Sequence, residues 1–250
     1  MTGTNNVLEI LNLEKTFRVG FFRKKVEAVK DVSFNVKQGE IFGLLGPNGA
    51  GKTTTLKVMM GLIALDKGKV TILGTDVSKS SARVKVGFLP ENPYFHEYLN
   101  PVELLDFYGK LLGMSRKKIV ERRDMLIEKV DLKHAAKRPL RKFSKGMLQR
   151  IGLAQALIAE PEVIILDEPM SGLDPIGRKF VADLMVELNK EGATILFSSH
   201  ILSDVERLCH RVVILNKGRK VAEGTIDELV NKDDDTESLE SLFVRKALES

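Results

Sequence analysis

The stretch "GPNGAGKTT", residues 46–54, constrains the fold of this chain more than any other feature. From Gly46 to Thr53 it satisfies the pattern G-x-x-x-x-G-K-[S/T], between the apolar run "IFGLL" and a helix-like segment. Glycines allow backbone N–H groups to surround phosphate oxygens, the Lys52 ammonium reaches the β- and γ-phosphates, and the Thr53 hydroxyl binds Mg²⁺. The alternative, an ordinary glycine-rich turn, does not account for the strand before it and the helix after it. The stretch therefore predicts a nucleoside triphosphate site with Mg²⁺ in a strand–loop–helix unit.

Composition sets the broad class of protein. The chain has 250 residues, of which 43% are hydrophobic, enough to bury a good core. Its net charge of +5, from 39 basic and 34 acidic residues, does not indicate nucleic-acid binding, and a solvated mixed surface is favoured. The single cysteine, Cys209, excludes a disulfide framework and lies among apolar neighbours, which favours a buried, inert thiol over a nucleophile. There is no signal-peptide pattern and no run of ~20 apolar residues, so we expect any membrane role to require a partner.

Strand and helix patterns alternate along most of the chain, which predicts an α/β fold with a mostly parallel central sheet and flanking helices. The early stretches "VLEILNLEKTF" and "VKDVSFNV" alternate apolar positions and predict an N-terminal antiparallel β portion. Residues 92–142 have no strand-like run and predict a helical insert. We therefore expect one domain over 1–250, with a core formed by about 1–91 and 143–228, the insert, and a short polar tail over about 229–250. Loops at the carboxyl ends of the parallel strands are expected to hold the ligand.

The run "VIILDEP" predicts a buried strand that ends in two acids, Asp167 and Glu168. Asp167 can hold Mg²⁺, and Glu168 can polarise an attacking water. Either acid alone would be compatible with an acidic turn after a strand. Together with a phosphate loop, the pair indicates nucleotide hydrolysis.

A second helix start that suits an anion occurs in "FSKGMLQR", where Ser144 and Gly146 precede an apolar helix. On its own this stretch would be read as an ordinary capped helix. The chain thus has two helix starts suited to phosphate, about 100 residues apart.

The phosphate loop, "FSKGMLQR", "VIILDEP", "SGLD" and "SSH" occur in an order and at separations that resemble the ATP-binding subunit of an ATP-binding-cassette (ABC) transporter. The resemblance covers residues 7 to 228. It implies an ABC-type P-loop NTPase fold, ATP and Mg²⁺ as ligands, and ATP hydrolysis that powers separate transmembrane permease subunits. It also implies a head-to-tail dimer with a second ATP-binding subunit, identical or not. Such a chain would lie peripherally on the cytoplasmic face of the cell membrane, with no nucleic-acid partner.

The resemblance also implies roles for single residues. Asp174 of "SGLD" resembles the aspartate that links the two sites across the dimer, although it would also suit an N-cap before Pro175. His200 resembles the histidine that contacts the γ-phosphate and the attacking water, with a core histidine as the alternative. Phe17 resembles the aromatic residue that stacks on adenine, with a strand-core phenylalanine as the alternative. Ser144 and Gly146 are expected to face the γ-phosphate held by the neighbouring subunit. The loop residues that are expected to contact nucleotide are Gly46, Pro47, Asn48, Gly49, Ala50, Gly51, Lys52, Thr53 and Thr54.

Two departures from the family pattern concern the site. Glu91 stands where the family usually has glutamine, and its carboxylate can still reach Mg²⁺ or a water bound to it. Phe143, Lys145 and Met147 replace three of the five residues of the common signature Leu-Ser-Gly-Gly-Gln. We expect the Lys145 side chain either to point away from the phosphates or to add a cation beside them. Both variants resemble those of drug and lipid exporters, which favours export.

The insert is the expected docking surface for a membrane subunit. The aromatic or imidazole side chains of Tyr94, Phe95, His96 and Tyr98 are candidates to line it, and a small core of the insert is the alternative for each. Two other functions remain open at this point. One is a soluble ABC-type ATPase that acts on ribosomes or nucleic acid, and the other is a nucleotide-gated module that does not hydrolyse ATP.

Overall fold

The computed structural model describes residues 5–20, 24–229, 241 and 243. Most of the sequence from residue 229 onward, where the tail is expected, lies outside this described part, as do residues 1–4 and 21–23. Within it, ten strands and seven α-helices form two sheets with helices packed against them.

The N-terminal sheet is antiparallel and has four strands in the order β2-β1-β4-β5. The buried side chains of β1 include Leu8 and Ile10, which are two residues apart, as expected for a sheet with one face on the core. Ile10 pairs with Phe34 on one side and Val70 on the other. The strands are β1 (Asn6–Val19), β2 (Lys24–Lys37), β4 (Lys67–Ile72) and β5 (Thr75–Asp76).

The central sheet has six strands in the order β10-β9-β3-β8-β7-β6, and all neighbouring pairs are parallel except β9 with β10. β3, β7 and β8 are buried along their whole length, because a parallel sheet is covered on both faces. The carboxyl ends of these parallel strands lie at one edge, which brings the segments after Leu45, Leu89, Leu166 and Ser199 together. The strands are β3 (Ile41–Leu45), β6 (Val86–Leu89), β7 (Val163–Leu166), β8 (Thr194–Ser199), β9 (Arg211–Asn216) and β10 (Arg219–Thr225).

The central sheet separates two apolar clusters. On β3, Leu45 belongs to the cluster with most of the helices, whereas its neighbour Leu44 belongs to the cluster with the N-terminal sheet and α1. Ile164 and Ile165 of β7 divide in the same way. This alternation is the two-residue period of a strand with two buried faces. The helices are α1 (Lys52–Met59), α2 (Pro101–Leu111), α3 (Arg116–Lys129), α4 (Lys145–Leu157), α5 (Pro175–Lys190), α6 (Leu202–Leu208) and α7 (Ile226–Leu229).

The segment between β6 and α4 contains α2 and α3 and no strand. Asn100 and Glu103 form a capping box at the start of α2, and Ser115 caps α3. The two helices approach closely at Gly109, where a Cβ atom would lie 2.7 Å from Ile119 Cγ1. The α/β class, the antiparallel N-terminal portion and the helical insert of the sequence-based fold prediction are therefore confirmed.

Candidate nucleotide site

The phosphate loop connects β3 to α1 and requires its glycines. A Cβ atom on Gly46 would lie 2.5 Å from the carbonyl oxygen of Leu215, and one on Gly51 would lie 2.5 Å from that of Ala28. Gly51 also has a φ of 103°, a conformation that favours glycine. No side chain caps the N-terminus of α1, so its first N–H groups remain available for an anion.

The loop forms the floor of an open cleft of about 890 Å³. The part of the sequence-predicted set that lines it comprises Phe17, Pro47, Asn48, Gly49, Ala50, Gly51, Lys52, Thr53, Thr54, Glu91, Glu168 and His200. These residues come from β1, the phosphate loop and α1, and from the segments after β6, β7 and β8. The fold therefore places around one cleft residues that are far apart in the sequence, such as Phe17 and His200, which are separated by 183 positions.

Lys52 is buried within this cleft and has three oxygen neighbours from the protein. Its ammonium donates to the carbonyl oxygens of Gly46, at 2.6 Å, and Pro47, at 3.3 Å, and lies 3.2 Å from Glu168 Oε1. Lys52 is only 6% exposed and Glu168 8%, so this is a buried ion pair. An ammonium has three donors, and here all three have a protein partner. A phosphate oxygen that accepts a hydrogen bond from Lys52 must therefore displace at least one of these contacts, and displacement of the contact with Glu168 would release that carboxylate.

The two acids after β7 have different surroundings. Asp167 Oδ1 accepts hydrogen bonds from Ser198 Oγ, at 2.7 Å, and from Thr53 Oγ1, at 3.2 Å. Glu168 has a φ of 50°, which is uncommon for a residue other than glycine, and its Oε2 lies 2.9 Å from His200 Nδ1. The Glu168 carboxylate is thus held between the Lys52 ammonium and the His200 ring, in the position from which it would face a nucleotide in the cleft.

The oxygen atoms at this edge fit a magnesium ion. Thr53 Oγ1 and Asp167 Oδ1 are 3.2 Å apart, and Glu91 is an exposed carboxylate on the same cleft. Among the described residues, no group of three or more His, Cys, Asp or Glu side chains could hold a metal by itself. Mg²⁺ in nucleotide sites is usually bound by one or two carboxylates together with substrate phosphates, so this sparse set suits it.

Phe17 lies at the outer end of the cleft and is half-buried. The Lys15 ammonium lies 5.6 Å from the centroid of its ring and 2.8 Å from Asp66 Oδ1. Asp66 Oδ2 also accepts the backbone N–H of Thr16, at 2.7 Å. The hydrogen bond from Lys15, together with that from Thr16, lowers the pKa of the Asp66 carboxyl. The strand that presents Phe17 is therefore fixed to the loop before β4.

Five sequence-predicted residues are not among those that line this cleft. Gly46 and Asp167 accept hydrogen bonds from the lining residues Lys52 and Thr53, whereas the other three lie at the starts of α4 and α5. Ser144 is the N-cap of α4, with Oγ accepting from Met147 N at 3.3 Å, and Asp174 is the N-cap of α5, with Oδ1 accepting from Gly177 N at 2.6 Å. Both are exposed. A Cβ atom on Gly146 would contact only Leu173 Cδ2, at 3.8 Å. The start of α4 thus lies beside the "SGLD" segment, away from the phosphate loop of its own chain.

The Lys145 side chain extends over this neighbouring segment. A Cβ atom placed on Gly172 would lie 2.2 Å from the Lys145 ammonium nitrogen. Deeper in the same contact, Gln149 Nε2 donates to the carbonyl oxygen of Pro169 at 2.9 Å. Lys145 is thus not among the residues that line the cleft of its own chain, and both expectations for it, which concern phosphates held by a second subunit, stay predictions.

The aromatic residues after Glu91 have different environments. Phe95 is 7% exposed and belongs to the core, whereas Tyr94 and Tyr98 are 86% and 69% exposed. Tyr94 and Phe95 line a groove of about 360 Å³ between β6, α2 and α4, together with Val84, Tyr108, Leu111 and Leu112. Three of these groove residues, Val84, Leu111 and Leu112, are large apolar side chains exposed to solvent.

Sequence analysis missed Ser198, whose hydroxyl bonds to both Asp167 and Glu168. The signal was present, since Ser198 lies two residues before His200 in "SSH". The role of Ser198 could not be inferred from this position alone, because it depends on β8 lying next to β7 in the sheet.

Comparisons with known proteins identify the family. The family model described as "ABC transporter" matches residues 29–171. An uncharacterized ABC transporter ATP-binding protein of Synechocystis sp. is 46% identical over 92% of this chain and 66% of its own length. The linearmycin resistance ATP-binding protein LnrL of Bacillus subtilis is 36% identical over 90% of this chain and 71% of its own. The chain thus spans about two thirds of the length of these relatives.

Two solved structures are similar to the whole fold. One is described as the ATP-binding subunit of an ABC transporter, with a TM-score of 0.84, 33% identity, and coverage of 96% of this chain and 99% of that one. The other is the dimeric structure of a bacterial ABC transporter cassette, with a TM-score of 0.80, 25% identity, and coverage of 87% and 98%. The chain belongs to the ABC transporter family and is an ATP-binding ATPase domain of it, which confirms the resemblance found in the sequence.

No helix in the described part of the chain is both long and apolar enough to cross a membrane.

Proposed function

We propose that two copies of this cassette, or this cassette and a second one, close on two ATP molecules and hydrolyse them to drive export through separate transmembrane subunits. The observation that carries the proposal is the division of the site within one chain. Lys52, Glu168 and His200 line the cleft, whereas Ser144 and Asp174 are exposed elsewhere on the surface. A second subunit in head-to-tail orientation would supply the missing half, and the dimeric cassette among the structural neighbours supports this arrangement.

Each residue of the cleft would have a distinct role towards ATP. Phe17 would stack on the adenine, and the N–H groups of the phosphate loop with Lys52 would bind the β- and γ-phosphates. Glu168, released from Lys52 by the phosphates, would polarise the attacking water, and His200 would contact the γ-phosphate and that water. Thr53 and Asp167, with Glu91 or a water between, would hold Mg²⁺, which neutralises charge on the phosphates.

The other half of the site would bind the γ-phosphate from the second subunit. Ser144 lies at the N-terminus of a 13-residue helix, whose end carries roughly half a positive charge. Asp174 would link the two sites at the interface. ATP would then hold the two subunits together, and its hydrolysis would release them.

The groove beside Tyr94 supports a membrane partner. Val84, Leu111 and Leu112 are exposed apolar side chains around it, and such a concentration suits the packing of a helix from another protein. With a transmembrane subunit in this groove, the cassette would lie on the cytoplasmic face of the cell membrane. The resistance function in the name of LnrL and the Lys145 and Glu91 variants favour export as the direction.

The substitution Glu168→Gln tests the hydrolytic part. Loss of a general base lowers turnover by about 10²- to 10⁴-fold, so we expect phosphate release to fall into that range. ATP binding is expected to persist, and light scattering with MgATP is expected to detect a stable dimer. Glu162→Gln is the matched control, because Glu162 lies before the same strand at its other end and pairs with Lys85 on the surface. Hydrolysis by Glu168→Gln at the wild-type rate would refute the assignment of the base.

A second experiment tests the partner. Membranes are solubilised gently, and the proteins that purify with this chain are identified by mass spectrometry. We expect a protein with several membrane spans, and we expect Tyr94→Asp with Leu111→Asp to abolish its recovery while ATP binding is retained. Recovery of ribosomes or nucleic acid in its place would overturn the transport function.

A further inference from the structure

We propose that Ser198 is a positioning residue for ATP hydrolysis, which fixes Asp167 and Glu168 relative to each other through one hydroxyl group. The inference deepens the proposed function and rests on the roles given there to the two acids. Ser198 lies in β8, is completely buried, and is not among the residues that line the cleft. It would act through its two neighbours and not by touching nucleotide.

The hydrogen-bond directions at Ser198 follow from the chemistry of its partners. Its Oγ lies 2.9 Å from the backbone nitrogen of Glu168 and 2.7 Å from Asp167 Oδ1. The Glu168 N–H can only donate, so the hydroxyl oxygen accepts that bond. The single hydroxyl hydrogen is then left for the Asp167 carboxylate, which can only accept when ionised. The Ser198 hydroxyl therefore accepts a hydrogen bond from the Glu168 N–H and donates one to the Asp167 carboxylate, and these two roles cannot be exchanged.

The bond to Glu168 restrains an uncommon backbone conformation. Glu168 has a φ of 50°, in the left-handed region that non-glycine residues rarely occupy. The surrounding structure must hold it there, and the Ser198 hydroxyl bonds to its N–H while Ser171 N donates to its carbonyl oxygen at 3.0 Å. Since this conformation directs the Glu168 side chain to Lys52 and His200, the bond from Ser198 helps to set the position of the base.

The bond to Asp167 restrains the carboxylate that would face magnesium. Ser198 and Thr53 both donate a hydrogen bond to Asp167 Oδ1. Among the described residues, these are the two side chains that donate to Asp167, and neither bonds to Oδ2. These bonds restrain the position of Oδ1 and leave Oδ2 for the cation or its water. Partners that orient a metal-binding carboxylate in this way usually change metal affinity or activity by about 10- to 100-fold when they are removed.

Two other hydroxyl residues of β8 show that this role belongs to Ser198 in particular. The Ser199 hydroxyl accepts from Ile201 N at 2.9 Å and serves the turn before α6. The Thr194 hydroxyl accepts from Gly39 N at 2.9 Å, at the opposite end of the strand. Thr194 is as buried as Ser198 and contacts neither acid, so Thr194→Val removes a comparable buried hydroxyl far from the site.

The experiment compares Ser198→Ala, Ser198→Thr and Thr194→Val. Turnover, the Mg²⁺ concentration that gives half-maximal ATP binding, and ATP affinity in EDTA are measured for each. For Ser198→Ala we expect turnover to fall by about 10- to 100-fold and the required Mg²⁺ to rise by a similar factor. Its affinity in EDTA is expected to stay close to that of the wild type, because Ser198 does not line the cleft and makes none of the proposed contacts to the phosphates. Ser198→Thr is expected to restore most of both losses, and Thr194→Val to leave the Mg²⁺ dependence unchanged.

Each result decides the inference. If Ser198→Ala keeps the wild-type turnover and Mg²⁺ dependence while Glu168→Gln is inactive, the proposed function stands and the role of Ser198 is overturned. If Thr194→Val shifts the Mg²⁺ dependence as much as Ser198→Ala, the effect is one of general stability and the role is also overturned. Should Ser198→Ala fail to fold, Ser198→Cys, which keeps the size of the group but is a weak donor, must show the shift in Mg²⁺ dependence.

Discussion

The phosphate loop and the start of α4, the two helix starts for which phosphate binding is expected, differ in how many of their polar groups have partners within the chain. At the phosphate loop, the buried ion pair of Lys52 with Glu168 and the hydrogen bond from Thr53 to Asp167 occupy the charged groups. At the start of α4, Ser144 and Lys145 are exposed, and Lys145 has no ion pair among the described residues. The charged groups at the phosphate loop, the first region, thus have partners within the chain, whereas Ser144 and Lys145 in the second region face solvent.

This difference has an energetic basis. A buried charge without a partner costs several kcal/mol, so a cleft with a buried lysine and glutamate must supply internal partners until a ligand replaces them. An exposed helix start has no such cost, because water solvates its N–H groups. Ligand binding at the phosphate loop must therefore exchange protein contacts for ligand contacts, whereas the proposed association at the start of α4 would add contacts without breaking an ion pair.

The largest effect is expected from Lys52→Ala, which removes the charge that the first region is organised around. Because the ammonium can donate three hydrogen bonds, each contributing about 1.5–3 kcal/mol when it involves a charged group, we expect ATP affinity to fall by about 1,000-fold or more by calorimetry. Lys57→Ala is the control, since Lys57 is an exposed lysine on the same helix. Unchanged ATP affinity in Lys52→Ala would contradict the assignment of phosphate binding to the phosphate loop.

An intermediate effect is expected from Ser144→Asp. Aspartate caps a helix about as well as serine, so the start of α4 should fold normally. Its carboxylate would face the phosphate held by the second subunit, and like charges brought together in this way cost several kcal/mol. We expect ATP-driven dimer formation and turnover to fall by about 30-fold or more, with ATP binding to the monomer unchanged.

The control for this variant is Ser115→Asp, which makes the same change at the cap of α3. Ser115 lies in the helical insert and is not expected to approach a nucleotide. Normal turnover in Ser144→Asp, with dimers formed as in wild type, would mean that the start of α4 does not face phosphate.

The same two regions show how far sequence reasoning reaches. Local patterns were sufficient for the phosphate loop, the strand before Asp167 and the cap at Ser144, because each depends on residues that are close together in the chain. The strand order β3-β8-β7 is not encoded locally, so the contacts of Ser198 with Asp167 and of Lys52 with Glu168 could not be predicted. Which aromatic side chains face solvent was equally open, and the structure buries Phe95 but exposes Tyr94.

The smallest effect is expected from Lys145→Gly, which restores the residue found in the common signature. The Lys145 ammonium lies over Gly172 and not in the cleft, and exposed side chains of this kind usually change stability by less than 0.5 kcal/mol, or about twofold in an equilibrium. We therefore expect turnover within about twofold of wild type once dimers have formed, measured as phosphate release at saturating MgATP. Lys145→Ala removes the ammonium without introducing glycine and should behave in the same way. A collapse of turnover in both variants would mean that the ammonium moves from Gly172 onto phosphate in the dimer, and the second region would then contribute a charge as well as a helix start.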